Sequence, residues 1–290
     1  AGGQTDLIAP NGTRIEIATL APPVVMPPIA HEFVMRRMAD QAPWVIGRAG
    51  MHYRDLIPSR LGGSIIASHI RIPGGGPVPD MVHFHSVGFQ LIYCYKGWVD
   101  LVYEDQGPPF RLEAGNCVIQ PPEIRHRVLF ASEDLEVIEI GVPAEHITTI
   151  DHDMDLPNEH ISPDRLFEGQ RFVHYKANET EWRPFRLPGF VARDTMICAN
   201  TGAVAGVQVV KPGPGRPVWS CHTSDIHFTF VLHGQLTLQS KEQAAQTLVA
   251  GDAFVIPPDM ACLYSALSED LELLEVSLPG EFDTHLEDRA

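Results

Sequence analysis

Short runs rich in Val, Ile, Leu and Tyr recur along the chain, each bounded by Gly, Pro, Asp or Asn. In the amino-terminal half, these runs are Gln90–Tyr95, Trp98–Tyr103, Cys117–Gln120 and Leu135–Ile140. Short strands at regular spacing, with turn residues between them, are typical of a β-sandwich or barrel. The dipeptides Lys96-Gly97 and His233-Gly234 are predicted to form tight hairpin turns.

The amino-terminal segment departs from this β pattern. Ala30–Gln41 is predicted to form a helix that ends before Ala42-Pro43. The opening contains four prolines, Pro22, Pro23, Pro27 and Pro28. They predict an extended arm, which either packs on a neighbour or forms a loosely ordered terminus.

A long internal repeat divides the chain into two halves. His85–Gly97 aligns with His222–Gly234 at an offset of 137 positions, and Gly115–Pro122 aligns with Gly251–Pro258 at an offset of 136. A period of this length corresponds to a whole domain used twice rather than to a solenoid unit. The sequence therefore predicts that residues 1–150 hold an amino-terminal arm and a first barrel. Residues 151–290 are predicted to hold a second barrel, with the join between 151 and 171.

The charge balance restricts the partners. Acidic residues outnumber basic ones, 37 to 21, which gives a formal charge of −16. Because neutralising phosphates requires clustered Lys and Arg, this balance argues against a nucleic-acid partner. An anionic substrate would have to be attracted by local positive charge or by a metal ion.

Cysteine spacing and hydropathy exclude further classes. The five cysteines form no CxxC pair and their number is odd, so neither a zinc ribbon nor a disulfide scaffold is expected. No apolar run approaches the roughly 20 residues of a membrane span. The segment Ala1 to Asn11 lacks the layout of a secretory signal. We expect a cytoplasmic protein without a membrane partner.

Three histidines and a glutamine lie at the spacing of a metal site. His83 and His85 are two residues apart, and such residues point to the same side of a strand. Gln90 follows after four residues, and His126 comes much later. An HxH pair alone is better explained by two strand histidines without a metal. The full set predicts one divalent transition metal, because three imidazoles and an amide oxygen suit such ions and leave exchangeable positions.

These residues resemble the two motifs of the cupin superfamily. The first motif is H-x-H, three or four residues, Glu, six residues and Gly, and it resembles the set His83, His85, Gln90 and Gly97. The second is Gly, five residues, Pro-x-Gly, two residues and His, and it resembles the set Gly115, Pro121 and His126. The resemblance covers roughly Leu61–Pro143 and, more weakly, Gly202–Pro279.

The resemblance implies an all-β fold with two tandem double-stranded β-helix (jelly-roll) barrels and minor helices, a bicupin. It also implies homodimers, for which exposed edge strands give a physical motive. The sequence departs from the family pattern at three positions: Gln90 replaces Glu, Glu123 replaces the Gly after Pro, and Phe130 replaces a later Asn.

Gln90 is the departure with chemical consequences. Gln keeps the shape and an oxygen donor of Glu but removes its charge, so the site carries the full charge of the metal and is a stronger Lewis acid. Gln90 is expected to act in catalysis either as a fourth metal ligand or as a hydrogen-bond donor to bound substrate. A purely structural glutamine in an empty barrel fits less well, because the three histidines are retained.

The second barrel has lost most of this ligand set. Ser220, His227 and Cys262 stand where His83, Gln90 and His126 stand in the first, and His222 keeps the place of His85. His222, His227 and Cys262 form a possible second metal site. The alternative is a scaffold barrel without a metal, with Asp225 and Tyr264 as polar lining.

Side-chain alternation predicts a mostly apolar pocket around the first site. Ile92 and Cys94 share the barrel-facing side with Gln90, and Cys117 and Ile119 are expected to face the same interior. Such a pocket suits a small-molecule substrate. Three further residues either anchor an anionic group or pair with the surplus acidic residues, namely His69, Arg71 and Arg125.

Three functions fit this pattern. Family members with three histidines and no acidic ligand imply a mononuclear non-haem iron(II) dioxygenase acting on a small enol, diketone or phenolic substrate. The second function is a non-redox isomerase, lyase or decarboxylase that uses Zn, Ni or Mn. It needs a base such as Glu104, Glu139 or a tyrosine, since Gln90 cannot accept a proton. The third is a metal-bearing sensor or storage-type bicupin without turnover, and the intact first site counts against it.

Overall fold

The structure is a computed structural model, which describes residues 5–17, 24–41, 43–47 and 50–287. Pro22 and Pro23 of the predicted arm lie outside the described residues. Helical structure in the described part is limited to a short α-helix, Ile197–Asn200, and to 3-10 turns at Met38–Asp40, Arg60–Gly63 and Ala177–Glu179. In the described part of the chain, no helix has the length and hydrophobicity needed to cross a membrane.

The described residues are mainly β-strands. The strands up to residue 150 are β1 (Thr5–Ile8), β2 (Arg14–Ile17), β3 (Val34–Arg36), β4 (Val45–Ile46), β5 (His52–Asp55), β6 (Ile66–Ile72), β7 (Gly76–Pro77), β8 (His83–Ser86), β9 (Phe89–Lys96), β10 (Trp98–Tyr103), β11 (Phe110–Glu113), β12 (Cys117–Ile119), β13 (His126–Ala131), β14 (Leu135–Val142) and β15 (Ile147–Ile150). The strands that follow are β16 (Leu166–Phe167), β17 (Gln170–Arg171), β18 (His174–Tyr175), β19 (Arg183–Pro184), β20 (Phe190–Asp194), β21 (Gly206–Pro212), β22 (Ser220–His222), β23 (Ile226–His233), β24 (Gln235–Ser240), β25 (Gln246–Val249), β26 (Ala253–Val255), β27 (Cys262–Ser265), β28 (Glu272–Leu278) and β29 (Thr284–Leu286).

The first barrel consists of two sheets. One has the strand order β11-β10-β13-β8-β15, with β7 beside β13, and the other has the order β18-β12-β9-β14-β6-β5-β4. The four strands predicted in this half are present as β9, β10, β12 and β14. The predicted hairpin turn at Gly97 is also present, with φ of 73°, in the left-handed region that favours glycine.

The second barrel repeats this arrangement. Its sheets have the orders β25-β24-β27-β22-β29 and β19-β20-β21-β28-β23-β26-β3. The strand register supports the repeat, because His126 lies opposite His83 in the first barrel and Cys262 lies opposite Ser220 in the second. The all-β, two-barrel prediction is therefore confirmed.

Each half of the chain contributes a strand to the other half's sheet. β3, from the amino-terminal segment, pairs with β26 of the second barrel. β18, which follows residue 150, pairs with β12 of the first barrel. The sequence boundary near residue 150 stays a prediction, but the sheets show that the halves are interlocked.

The predicted helix at Ala30–Gln41 is wrong. The segment forms strand β3 and then a 3-10 turn. Its apolar residues alternate in direction, because Phe33 and Met35 pack on the interior cluster of the second barrel, whereas Val34 belongs to the cluster between the barrels. Pairing with the edge of β26 and burial on both faces outweigh the local helix preference of the sequence.

The barrels pack against each other through their seven-stranded sheets. Leu91 of β9 and Phe230 of β23 belong to one buried cluster. Ile92 and Cys94 face the interior of the first barrel, as alternation predicted. The prediction for Cys117 and Ile119 is wrong, since both belong to the cluster between the barrels. The reason is register: Val118 lies opposite Ile92 and therefore takes the interior side.

Candidate metal centre

The three histidines of the first barrel converge on one point. His83 and His85 are on β8, and His126 begins β13 opposite His83. The ring centroids are 4.2 Å apart for His83 and His126, 5.1 Å for His83 and His85, and 5.2 Å for His85 and His126. One ring nitrogen of each histidine lies within 4.8 Å of those of the other two. These three side chains can therefore hold one metal ion.

Hydrogen bonds fix the orientation of these rings. Nδ1 of His83 is 2.8 Å from the carbonyl oxygen of Met81, and Nδ1 of His126 is 2.9 Å from that of Ile124. Because a carbonyl oxygen only accepts, Nδ1 carries the proton in both neutral rings and Nε2 has the lone pair. Nδ1 of His85 lies 2.9 Å from Oγ1 of Thr148. Contacts of this kind orient the histidine ligands of metal sites.

Gln90 is buried beside a carboxylate. Its Nε2 donates a hydrogen bond of 2.7 Å to Oε1 of Glu139. Its Oε1 is buried and has no hydrogen-bond partner among the described residues. Buried polar atoms are rarely left unpaired, so this oxygen fits an additional ligand such as a metal ion or a substrate donor. Ligation by Gln90 stays a prediction.

A cavity of about 280 Å³ occupies the first barrel, and the three histidines line it. Glu139 also lines it, whereas Glu104 does not. Glu104 instead accepts hydrogen bonds from Nη1 of Arg165 at 2.7 Å and from the backbone N–H of Arg125 at 3.1 Å. Of the two acidic bases considered from the sequence, Glu139 is therefore the one placed to act in the cavity.

Tyr103 and Gln120 line the same cavity, and neither was predicted from the sequence as a site residue. Nε2 of Gln120 donates to Oη of Tyr103 at 2.9 Å. Burial raises the pKa of Tyr103 well above its usual range, although the bond from Gln120 lowers it slightly, so the hydroxyl stays protonated. Alternation along β10 would have found this residue, because Val99, Leu101 and Tyr103 all point into the cavity.

Three residues were suggested from the sequence as anchors for an anionic group, and none of them lines the cavity: His69, Arg71 and Arg125. Arg125 pairs with Asp151 at 3.0 Å, and Arg71 pairs with Asp134 on the surface. His69 is buried near the contact between the barrels, where its Nε2 is 2.7 Å from Oε2 of Glu136. The alternative that they pair with acidic residues is therefore confirmed.

The second barrel contains an arginine near its predicted ligand set. Arg186 donates to both oxygens of Glu275, at 2.7 and 2.9 Å, and its Nη2 is 2.9 Å from Nε2 of His227. The rings of His222 and His227 stack with centroids 4.3 Å apart and an angle of 25° between their planes. Both ring nitrogens of His222 are buried without a hydrogen-bond partner in the described residues.

Cys262 lines the same small cavity, of about 20 Å³. Burial raises the pKa of its thiol to about 12, and a metal would have to displace that proton. Metal binding by His222, His227 and Cys262 stays a prediction, and Arg186 is the cation that neutralises Glu275. Tyr264 lines this cavity as expected, but Asp225 is exposed and lies 3.7 Å from His31.

Comparisons with known proteins agree with the architecture. No family model matches the sequence, and no curated protein matches it. A mutant of salicylate 1,2-dioxygenase from Pseudoaminobacter salicylatoxidans in complex with gentisate has a similar structure, with a TM-score of 0.66 and 15% identity over 91% of this chain and 88% of that chain. Oxalate decarboxylase from Lactobacillus farciminis, in a formate complex, is similar with a TM-score of 0.62 and 14% identity over 90% and 91%. Protein Ylba from E. coli is similar with a TM-score of 0.62 and 14% identity over 91% and 96%. At these identities the comparisons show the fold.

Proposed function

This chain has the two-barrel fold of the bicupins, and on that premise we propose that it is a mononuclear non-haem iron(II) dioxygenase acting on a small enol, diketone or phenolic substrate. The observation that carries the proposal is the meeting of His83, His85 and His126 on the wall of a cavity of about 280 Å³. Three neutral imidazoles suit iron(II) and leave exchangeable positions on the ion for substrate and dioxygen. The salicylate 1,2-dioxygenase structures share this fold, which supports the choice of reaction.

His83, His85 and His126 would hold the metal, and Oε1 of Gln90 is the candidate fourth donor. Bound iron(II) would supply redox chemistry with dioxygen and polarisation of substrate oxygens. Because Gln90 is neutral, it would lower the Lewis acidity of the ion less than the glutamate of the family motif would.

The remaining cavity residues would bind the substrate and move a proton. Glu139 lines the cavity and can accept the proton that an enol or diketone loses on binding. The amide of Gln90 donates to Oε1 of that carboxylate at 2.7 Å and so fixes its position. Tyr103 stays protonated and can donate to a substrate oxygen.

A second candidate function is non-redox chemistry with Zn, Ni or Mn, as an isomerase, lyase or decarboxylase. The observation that favours it is again Glu139, because this reaction needs a base and the carboxylate lines the cavity. The similar fold of oxalate decarboxylase supports the same candidate.

One experiment separates these functions. The protein is purified without added metal, and its iron, zinc, nickel and manganese contents are measured. Oxygen uptake is then followed with a panel of β-diketones, catechols and hydroxybenzoates. Bound iron with oxygen uptake supports the dioxygenase, and tightly held zinc, nickel or manganese without uptake supports the Lewis-acid enzyme. A protein that holds metal but turns over no substrate would instead be a sensor or storage protein.

We also infer that the protein forms homodimers. β4 is an edge strand of the first barrel, and its residues Val45 and Ile46 are 62% and 70% exposed. Exposed apolar edge strands promote pairing between chains. Light scattering across a concentration series would test this, and a monomer at all concentrations would contradict it.

A further inference from the structure

We propose that the substrate of the first barrel is uncharged in solution and mostly apolar, and that it presents two neighbouring oxygens, as a 1,3-diketone or its enol does. This inference rests on the proposed function, which leaves enols, diketones and phenols open. It excludes substrates that arrive as carboxylates. The chemical composition of the cavity wall supports it.

The wall away from the histidines is mostly aliphatic, although Tyr53 and Ser68 also line it. Ile70 and Ile72 come from β6, Leu101 comes from β10, and Leu135 and Val137 come from β14. These side chains pack favourably against apolar groups and can neither donate nor accept a hydrogen bond. A substrate that fills this part of the cavity must therefore have an apolar body.

The charged side chains of the lining are all acidic. Asp80 and Glu139 line the cavity, and no lysine or arginine is among its described lining residues. Asp80 accepts a hydrogen bond from the backbone N–H of Val128 at 2.9 Å and remains beside the histidines, 3.7 Å from Nδ1 of His83. A carboxylate substrate would add a negative charge beside these acidic side chains, and no lysine or arginine among the described residues of this wall would balance it.

A neutral hydroxyl, that of Tyr103, can bind a substrate oxygen near the histidines. Nε2 of Gln120 donates to Oη of Tyr103 at 2.9 Å, so the proton of that hydroxyl points to another acceptor. Tyr103 lines the cavity and its ring stacks on His126 with centroids 5.6 Å apart. It is therefore placed to donate to an oxygen that also faces the histidines, and a carbonyl suffices as that acceptor.

The test measures binding without turnover. The protein is loaded with zinc, which has no redox chemistry, and titrated by calorimetry with ethyl benzoylacetate and with benzoylacetate. This pair shares one 1,3-dicarbonyl skeleton and differs in the charge of its end group. Oxalate and salicylate serve as anionic chelators, and benzoylacetone is a second neutral probe. We expect both neutral probes to bind at least tenfold more tightly than any of the three anions.

A variant tests the cause of this preference. Ile72 is half-buried at the cavity, so Ile72→Arg can extend its guanidinium towards water while placing a cation in the wall. We expect this variant to shift the preference towards benzoylacetate by about tenfold, with unchanged zinc content as the control for folding. If the variant does not fold, the titrations of the wild-type protein still decide.

Equal or tighter binding of the anions to the wild-type protein, or no binding of the neutral probes, overturns the inference. Failure of the proposed function is a separate result. Neutral probes that bind the zinc protein but cause no oxygen uptake by the iron protein would end the dioxygenase proposal and leave this inference intact. Oxygen uptake with salicylate alone would do the reverse.

Discussion

The side-chain amide of Gln90 donates to Oε1 of Glu139 at 2.7 Å, and the equivalent pair of the second barrel, His227 and Glu275, is also in contact, at 3.2 Å. Both barrels therefore keep a carboxylate next to the position of the first motif that Gln90 occupies in the first barrel. In the second barrel Arg186 neutralises that carboxylate. In the first barrel the carboxylate lines an open cavity beside three histidines. Equivalent positions of the two barrels therefore hold a buried ion pair in the second barrel and a candidate reaction site in the first.

The first prediction concerns the ligand set. His126→Ala should release most of the bound metal, because two imidazoles remain. Gln90→Ala should weaken binding less, because it removes one neutral oxygen donor. Metal content after dialysis, measured by mass spectrometry, checks both variants. His152→Ala, an exposed histidine outside the cavity, is the matched control. Full metal occupancy in both His126→Ala and Gln90→Ala would show that the ligand assignment is wrong.

The second prediction concerns the base. Glu139→Gln keeps the size of the side chain but cannot accept a proton, so turnover should fall by about 10²–10⁴-fold. Metal content should stay near that of the wild type, since Glu139 is not among the three histidine ligands. Initial rates are compared with those of Glu113→Gln, an exposed glutamate on β11. A rate within a few-fold of the wild type would remove Glu139 from the mechanism.

The ligand histidines could be predicted from the sequence because their positions follow from strand periodicity. His83 and His85 are two apart on β8, and the resemblance to the second cupin motif indicated His126, which begins β13. Glu139 was only one of several possible bases, because the order of residues does not show which carboxylate lines a cavity.

Other features depended on contacts that a linear pattern does not contain. The segment around Val34 has helix-compatible spacing, but the open edge of β26 makes it a strand. Arg186 enters the second barrel from outside its cupin motifs, so no motif spacing indicated the ion pair with Glu275. The faces of Cys117 and Val118 depended on the register with β9, which a shift of one residue reverses.

The third prediction concerns the contact between the amino-terminal segment and the second barrel. The buried carboxylate of Asp252 accepts hydrogen bonds from the backbone N–H of Met38, at 2.8 Å, and from that of Val249, at 2.9 Å. Asp252→Ala leaves both donors without this acceptor, so we expect a loss of about 2–4 kcal/mol in the free energy of unfolding. Urea denaturation measures this, with Asp270→Ala at an exposed position as the control. A loss below about 0.5 kcal/mol would mean that these two hydrogen bonds of Asp252 do not stabilise the second barrel.

The fourth prediction is a pH dependence of stability. Burial, reinforced by the neighbouring His227 and Arg186, lowers the pKa of His222 from 6.5 to about 3. The folded protein therefore keeps this ring neutral, whereas the unfolded chain binds a proton below pH 6.5. Stability should then fall as the pH decreases from 6.5 towards 3, with a slope from this residue of up to about 1.4 kcal/mol per pH unit.

His222→Gln should remove that contribution, because glutamine does not titrate. Urea denaturation at pH steps between 6.5 and 4.5 measures it as the difference in slope between the variant and the wild type, because His69 and His174, whose pKa values burial also lowers, contribute to the slope of both proteins. Glu275, whose pKa Arg186 and His227 lower to about 2 against the effect of burial, loses its stabilising contribution only below about pH 4.5. His152→Gln, at an exposed position, should keep the slope of the wild type. If His222→Gln also keeps the slope of the wild type, the fold does not hold this ring neutral. Water would then have to reach the buried ring nitrogens of His222.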